Sequence, residues 1–162
     1  MLTYIINHGY TSKRLTLKII IVFLLVISTL YSNIIIDNDI RKKDNFTLEM
    51  FYDDSKKLTI ETLQNKTFKK IPSQFTFGHK RGNFWFKFTI ENHSTSKDFI
   101  FNFSEPYYEE MSLYKKVNNY WVEEKNGLIK PLKQRDVLNH NPSFELKIKP
   151  NQIKTFYVKS NS

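Results

Sequence analysis

Residues 84–90 alternate between apolar and other side chains, and this alternation restricts the fold more than any other feature. Phe84, Phe86, Phe88 and Ile90 occupy one set of positions, and Trp85 opens the other set. Neighbouring side chains of a β-strand point to opposite faces, so a period of two predicts a strand with one face in the core and one in water. Sheets with one solvated face are antiparallel. An antiparallel sheet is therefore predicted.

Short segments of the same character recur along the rest of the chain, separated by turn residues. Strands are predicted at residues 46–54, 84–90, 99–103, 111–117, 120–125, 144–150 and 154–160. Asn118 and Asn119 tolerate the left-handed backbone of a hairpin turn, and residues 150–152 join the last two strands into a final pair. Residues 58–65 fit either a strand or one to two helical turns. The pattern predicts an all-β fold, an antiparallel β-sandwich.

One apolar run precedes these strands. Residues 19–36 contain no charge, and Lys13, Arg14 and Lys18 come before them, whereas Asp37 follows. A positive flank on the amino-terminal side predicts that the amino terminus is cytoplasmic and that the remainder is exported. The chain is therefore expected to act on the extracytoplasmic, periplasmic side of the inner membrane.

The apolar run fits two interpretations. It is either a signal peptide, with a cut near Ser32, or a retained anchor, because 18 residues lie at the lower limit for crossing a bilayer. The predicted organisation is a targeting segment at residues 1–36, which meets the membrane, and a sandwich domain at residues 38–162.

Composition excludes several kinds of chemistry. The chain of 162 residues has no cysteine, so disulfides and thiolate sites are ruled out. The formal net charge is +9, but the surplus is lysine spread along the chain rather than a basic patch. Together with the export segment, this argues against a nucleic-acid partner.

Catalytic patterns are missing from the sequence. The four histidines have no metal-ligand spacing, and the acidic pairs are adjacent in sequence, so in strands they point to opposite faces. No phosphate-binding glycine loop and no nucleophile elbow occurs. The prediction is a protein that is not an enzyme and needs no cofactor and no metal.

Four motifs occur in an order that resembles a known family. They are Trp85-x-Lys87-Phe88-x-Ile90-x-Asn92; Met111-Ser112-Leu113-Tyr114 after Pro106; Gly127, Pro131 and Arg135; and Tyr157-Val158-Lys159-Ser160-Asn161-Ser162. In this order they resemble the second type of extracellular domain of bacterial seven-transmembrane receptors with diverse intracellular signalling modules (7TMR-DISM). The resemblance covers about residues 46–162.

The resemblance implies a jelly-roll fold like that of carbohydrate-binding modules, acting as a sensor ahead of seven membrane helices and a kinase or cyclase output. Lys87 and Lys159 stand where the family has arginines, and lysine cannot make a bidentate contact with a carboxylate. The sequence ends at Ser162, where the first helix would follow. The implied partner is a membrane-embedded signalling protein or a seven-helix region beyond this sequence.

Four residues are candidates for ligand binding, each with a structural alternative. Trp85 is either a stacking platform for a sugar or a residue packed under a loop. Lys87 holds an acidic substituent or is a solvated strand lysine. Tyr107 extends such a site or belongs to the core. Arg135 binds a carboxylate or ties the long connection at residues 126–142 to backbone carbonyls.

These observations predict an extracytoplasmic sensor domain that binds a small molecule, and a carbohydrate in particular, for a membrane signalling receptor. The alternative is a stand-alone envelope protein that uses the same sandwich to bind another protein or a polyanion. Affinity for a polyanion falls steeply with salt, whereas affinity for a neutral sugar does not.

Overall fold

The computed structural model describes residues 33–76, 78, 80–104 and 108–161, and most regular structure there is β-strand. The strands are β1 (Asn33–Ile36), β2 (Thr47–Asp53), β3 (Lys69–Pro72), β4 (Asn83–Asn92), β5 (Asp98–Asn102), β6 (Glu110–Val117), β7 (Tyr120–Asn126), β8 (Ser143–Lys147) and β9 (Ile153–Asn161). Within these ranges two short helical segments occur: the α-helix α1 (Ile60–Leu63) between β2 and β3, and a single 3-10 turn (Leu132–Gln134) between β7 and β8. The predicted all-β antiparallel sandwich is confirmed.

Strand β4 is the centre of a seven-stranded sheet. The order is β3-β2-β4-β9-β6-β7, and β9 pairs with β4 along almost its whole length. The other edge of β4 is shared, because β2 pairs with residues 83–87 and β1 pairs with residues 89–92. The β1–β4 pair is parallel, unlike the other strand pairs described. The last four residues of the apolar run therefore belong to this sheet.

A second sheet, formed by β5 and β8, covers one face of the first. Phe84, Phe86, Phe88 and Ile90 are buried on that face, as the alternation predicts. Strands β8 and β9 present the residues Phe144, Leu146, Phe156 and Val158 to the same core. Each large apolar side chain buried here contributes roughly 1.5–3 kcal/mol to folding.

The opposite, outer face of the large sheet is partly covered as well. The ambiguous residues 58–65 supply α1, which starts with a capping box between Thr59 and Thr62. Ile60 and Leu63 of α1 pack on Trp85. The prediction that this face of β4 would be wet is therefore wrong at Trp85, because a single helical turn covers it.

The final strand pair was also predicted wrongly. Strand β8 pairs with β5, whereas β9 pairs with β4 and β6, so the two strands lie in different sheets. The turn between them is bound to the end of β4: the amide of Asn151 donates to the carbonyl of Asn92 at 2.7 Å, and the amide of Asn92 donates to the carbonyl of Gln152 at 3.0 Å. These contacts carry the chain from one sheet to the other.

The β6–β7 hairpin is confirmed. Asn118 and Asn119 have φ angles of 48° and 66°, and the register places Lys116 opposite Trp121. In the described part of the chain, no helix has the length and apolar character needed to cross a bilayer. Residues 1–32, which carry most of the predicted targeting segment, lie outside the described residues.

Candidate functional site

One concavity is lined by residues from three segments of the sandwich: 42–48, 73–76 and 101–108. We call it the edge cleft, and its volume is about 610 Å³. It is lined by Lys42, Lys43, Asp44, Phe46, Leu48, Ser73, Gln74, Phe75, Thr76, Phe101, Asn102, Phe103, Ser104 and Tyr108. Its volume is within the range of small-molecule sites in proteins.

The floor of the edge cleft is aromatic because the core continues into it. Phe75 stacks on the core residue Phe86 with ring centroids 5.1 Å apart, and Phe101 stacks on Phe88 at 4.2 Å. Phe46 packs against Phe101 at 6.3 Å. The rings at positions 46, 75 and 101 are partly buried, so each is held by the core while part of its surface faces the cleft.

The rim of the edge cleft is polar. Lys42 and Asp44 form an exposed ion pair at 3.0 Å. The Asn102 side chain accepts a hydrogen bond from the hydroxyl of Ser143 at 3.1 Å, and both Asn102 and Gln74 are exposed in the lining. Donors and acceptors therefore surround an apolar floor.

Trp85 lies away from this cleft, in the outer-face cluster. Its side chain is 0% exposed, packs on α1, and meets the ring of Tyr114 at 5.4 Å. Its indole N–H has no hydrogen-bond partner among the described residues. This position matches the alternative of a residue packed beneath another segment, so we do not include Trp85 in a ligand site.

Lys87 is on the same outer face and is half-buried. Its ammonium forms an ion pair with Glu49 at 2.9 Å and lies 5.8 Å from the ring centroid of Phe68. Tyr107 lies outside the described residues, but its neighbour Tyr108 lines the edge cleft. The structure therefore does not bring Trp85 and Lys87 together with the cleft.

Arg135 organises the long β7–β8 connection. Its guanidinium donates to the carbonyls of Gly127, Lys130, Asn139 and His140 at 2.7–3.1 Å. This geometry matches the structural tie rather than a carboxylate site, because the donors already have partners within the chain.

Gly127 is required where that tie begins. Its φ angle is +119°, and a Cβ there would lie 2.5 Å from the carbonyl oxygen of Glu109. The side chain of Asn126, next to it, donates to the carbonyl of Ser143 and accepts from the amide of Gly127. The third motif therefore shapes a loop.

A second, smaller concavity lies on the outer face of the large sheet, beside α1. We call it the outer-face groove; its volume is about 310 Å³. It is lined by Gln64, Lys87, Lys116, Trp121, Ile153, Lys154, Thr155 and Tyr157. Trp121 and Tyr157 are not among the site residues predicted from the sequence, although the predicted hairpin turn already implied that Lys116 and Trp121 are cross-strand neighbours.

The titratable groups of the described residues do not meet the requirements of a metal site. Among the ranges that the structure covers, no three His, Asp or Glu side chains converge as a metal site would require. Burial, together with a hydrogen bond to Glu123, raises the pKa of Tyr114 strongly, so its phenol stays protonated. Burial and the nearby Lys115 lower the pKa of Lys154.

The fold and the cleft define a class of protein: a small antiparallel β-sandwich with a cleft, the edge cleft, whose floor is formed by aromatic rings. The sequence then specifies the family. A sequence model of the 7TMR-DISM extracellular 2 domain matches residues 46–162, and the chain belongs to that family. A comparison with curated proteins finds no match.

Family membership confirms the resemblance drawn from the four motifs. It identifies residues 46–162 as an extracellular sensor domain of a membrane receptor family, located outside the cytoplasm. A membrane-associated signalling partner follows from the same membership.

Proposed function

We propose that this sensor domain binds a small carbohydrate in the edge cleft and is not itself an enzyme. The observation that carries the proposal is the cleft itself, about 610 Å³ of space with partly buried rings on its floor and polar side chains on its rim. Small-molecule sites combine these features, because an apolar surface supplies affinity and a few polar groups fix orientation.

The lining suits a sugar for two reasons. The faces of sugar rings carry C–H groups that pack on aromatic rings such as Phe75 and Phe101. Sugar hydroxyls both donate and accept hydrogen bonds, and the amides of Gln74 and Asn102 do the same. Both amides line the same cleft as these rings, so the lining combines an apolar surface with hydrogen-bonding groups.

Ligand capture would bias a membrane-embedded signalling partner by favouring one arrangement of the domain over another. We propose that this partner lies in the inner membrane and that the domain is displayed on its periplasmic side. The charge flank before residue 19 supports that orientation.

The proposal is tested by titrating the full chain, in a polyoxyethylene detergent that carries no sugar, with neutral oligosaccharides in a calorimeter. The double variant Gln74→Ala/Asn102→Ala should bind about tenfold more weakly, because two neutral hydrogen bonds of roughly 0.5–1.5 kcal/mol each are lost. Asn65→Ala/Gln134→Ala removes the same residue types from exposed positions outside the cleft and is the control.

Two results would reject the proposal. If no neutral oligosaccharide gives saturable heat, the carbohydrate class is wrong. If an oligosaccharide binds but the two double variants bind it equally well, the ligand sits outside the edge cleft. Melting temperatures of both variants establish that any loss of binding is not a loss of folding.

A further inference from the structure

The outer-face groove lies on the opposite side of the large sheet from the core and is independent of the edge cleft. From its lining we infer that it is a second ligand site, which binds a carboxylate-bearing sugar. The inference goes beyond the proposed function, since it concerns different residues, a different face and a charged ligand.

Charge is the first observation. Lys87, Lys116 and Lys154 line the groove and no acidic side chain does, but the ammonium of Lys154 donates to the carbonyl of Lys147 at 3.2 Å and lies over the core ring of Phe156. The charge that a ligand in the groove meets therefore comes from Lys87 and Lys116. Glu49 pairs with Lys87 at 2.9 Å, but Lys116 has no carboxylate partner among the described residues, and its ammonium lies 5.0 Å from the ring centroid of Trp121. A groove with one unneutralised ammonium beside a second, singly paired one favours an anionic ligand.

Hydrogen-bond capacity is the second observation. The hydroxyl of Tyr157 has no hydrogen-bond partner among the residues that the structure describes, and the exposed amide of Gln64 stands beside it in the lining. An ammonium has three N–H donors, and Lys87 donates one of them to Glu49. Free donors therefore outnumber free acceptors, which suits a carboxylate.

Rigidity is the third observation. Tyr157 and Trp121 meet edge to face with ring centroids 5.5 Å apart, and Phe68 contacts the other side of Tyr157 at 6.1 Å. Thr155 is tied to Thr89 by a hydroxyl–hydroxyl contact of 2.9 Å. Trp121, Thr155 and Tyr157 stand on strands of the large sheet, so the groove is formed before any ligand arrives.

A sugar acid satisfies all three features. Its carboxylate pairs with Lys116 and Lys87, its hydroxyls contact Tyr157 and Gln64, and its apolar ring edge rests on the aromatic wall. A volume of about 310 Å³ holds a short saccharide rather than a folded partner.

The two tryptophans of the chain provide the readout. Trp85 is fully buried and Trp121 lines the groove, so a ligand that pairs with Lys116 changes the surroundings of only one indole. The full chain, in the same sugar-free detergent, is titrated with a galacturonate trisaccharide while its emission is followed. We expect a saturable change, and the neutral galactose trisaccharide should give none at the same concentrations.

Variants then locate the binding site. Trp121→Phe should remove the change in emission, since Trp85 alone remains. Lys116→Gln should weaken binding about tenfold, because it removes a charge-assisted hydrogen bond. Lys133→Gln removes a lysine from the exposed β7–β8 connection and should bind like the unmodified chain.

The proposal is overturned if the galacturonate trisaccharide gives no saturable change, or if the neutral trisaccharide gives the same one. It is also overturned if Trp121→Phe keeps the full signal or if Lys116→Gln binds as tightly as Lys133→Gln. The cleft variant Gln74→Ala/Asn102→Ala should leave this titration unchanged, so the two proposals stand or fall separately.

Discussion

Asn92 shows how one buried polar side chain organises the end of a strand. Its amide nitrogen donates to the carbonyls of Ser96 and Ile148 at 2.8 and 2.9 Å, and its amide oxygen accepts from both the backbone and the hydroxyl of Ser94. The side chain thereby links β4, the turn that follows it, and the end of β8. The asparagine in the first motif therefore has a structural role.

Replacing Asn92 should be costly. Asn92→Ala leaves the carbonyls of Ser96 and Ile148 and the amide and hydroxyl of Ser94 without this partner. We expect a loss of about 3 kcal/mol in the free energy of unfolding, measured by urea denaturation. Asn45→Ala, at an exposed position, is the matched control. Equal urea midpoints for the two variants would contradict the role assigned to Asn92.

His93, the next residue, links the ends of β1 and β4. Its Nε2 lies 2.7 Å from Glu91 and its Nδ1 lies 3.5 Å from Asp37. The hydrogen bond with Glu91 raises the pKa of His93, and the same bond lowers the pKa of Glu91. The charged pair is therefore favoured in the folded protein.

The pH dependence follows from these directions. The raised pKa of His93 adds stability that is fully present below about pH 6.5 and is lost as pH rises through the folded pKa. The lowered pKa of Glu91 adds stability that is present at higher pH and is lost as pH falls through the folded pKa of that carboxyl. Urea midpoints of the unmodified chain should therefore exceed those of His93→Gln by more at pH 5.5 than at pH 8.5. Parallel profiles would show that the pair contributes nothing.

At the scale of elements, the alternation predicts strands and inward faces well. It identifies the core side of β4, β8 and β9, because burial of one face is a local property of each strand. It does not show what covers the second face of β4: a single turn of helix from residues 58–65 buries Trp85, and four residues are too few for a helical period to stand out.

Pairing between distant strands is equally hard to read from the sequence. The parallel partnership of β1 with β4 joins residues more than fifty positions apart, and the apolar character of β1 merges with the run before it. The assignment of β8 and β9 to different sheets also depends on contacts made far along the chain. The edge cleft was missed for this reason, since its walls come from three separate segments.

The β7–β8 connection depends on a single side chain. Because Arg135 holds four carbonyls, Arg135→Gln should release the loop and let it open more often. Chymotrypsin should then cut after the exposed residues Leu132 or Leu138 at least about tenfold faster, as mass spectrometry would record. Lys133→Gln removes a charge from the same loop, and equal cutting of both variants would rule out the tie.

At the scale of the whole molecule, the described domain begins with β1 rather than after it. Ile34 is buried in the core, the carbonyl of Ile36 accepts from the amide of His93 at 2.9 Å, and the ammonium of Lys43 donates to the carbonyl of Ile35 at 2.8 Å. Residues 33–162 form one compact unit by their contacts. We therefore propose that the domain boundary lies at residue 33 instead of residue 38.

A shortened chain tests this boundary. A chain starting at residue 38 lacks β1, so part of the core is exposed. A chain starting at residue 33 keeps β1, and the core stays covered. Loss of the buried Ile34 side chain alone removes roughly 1.5–3 kcal/mol, and the lost strand pairing adds to this. The shorter chain should therefore unfold at a clearly lower urea concentration. Coincident unfolding curves would show that β1 adds no stability.

The same boundary bears on the fate of the amino-terminal segment. If residues 33–36 belong to the sheet, the uncharged run left before them is residues 19–32, which is 14 residues. A run of 10–14 apolar residues is typical of a signal peptide, and as a helix 14 residues reach only about 21 Å of the roughly 30 Å of hydrocarbon in a bilayer. We therefore propose that export removes the segment and that the cut falls at or shortly before Asn33.

Intact mass spectrometry of the exported protein checks this proposal. A cut after Ser32 would leave β1 complete, so the mature chain should begin at Asn33 or a few residues earlier and should carry every bond that β1 makes. A product that begins after Ile36 would have lost the strand, and by the preceding reasoning it should be less stable than the chain starting at residue 33. A product that still carries residues 1–18 would instead identify a retained anchor, with β1 following directly after the membrane.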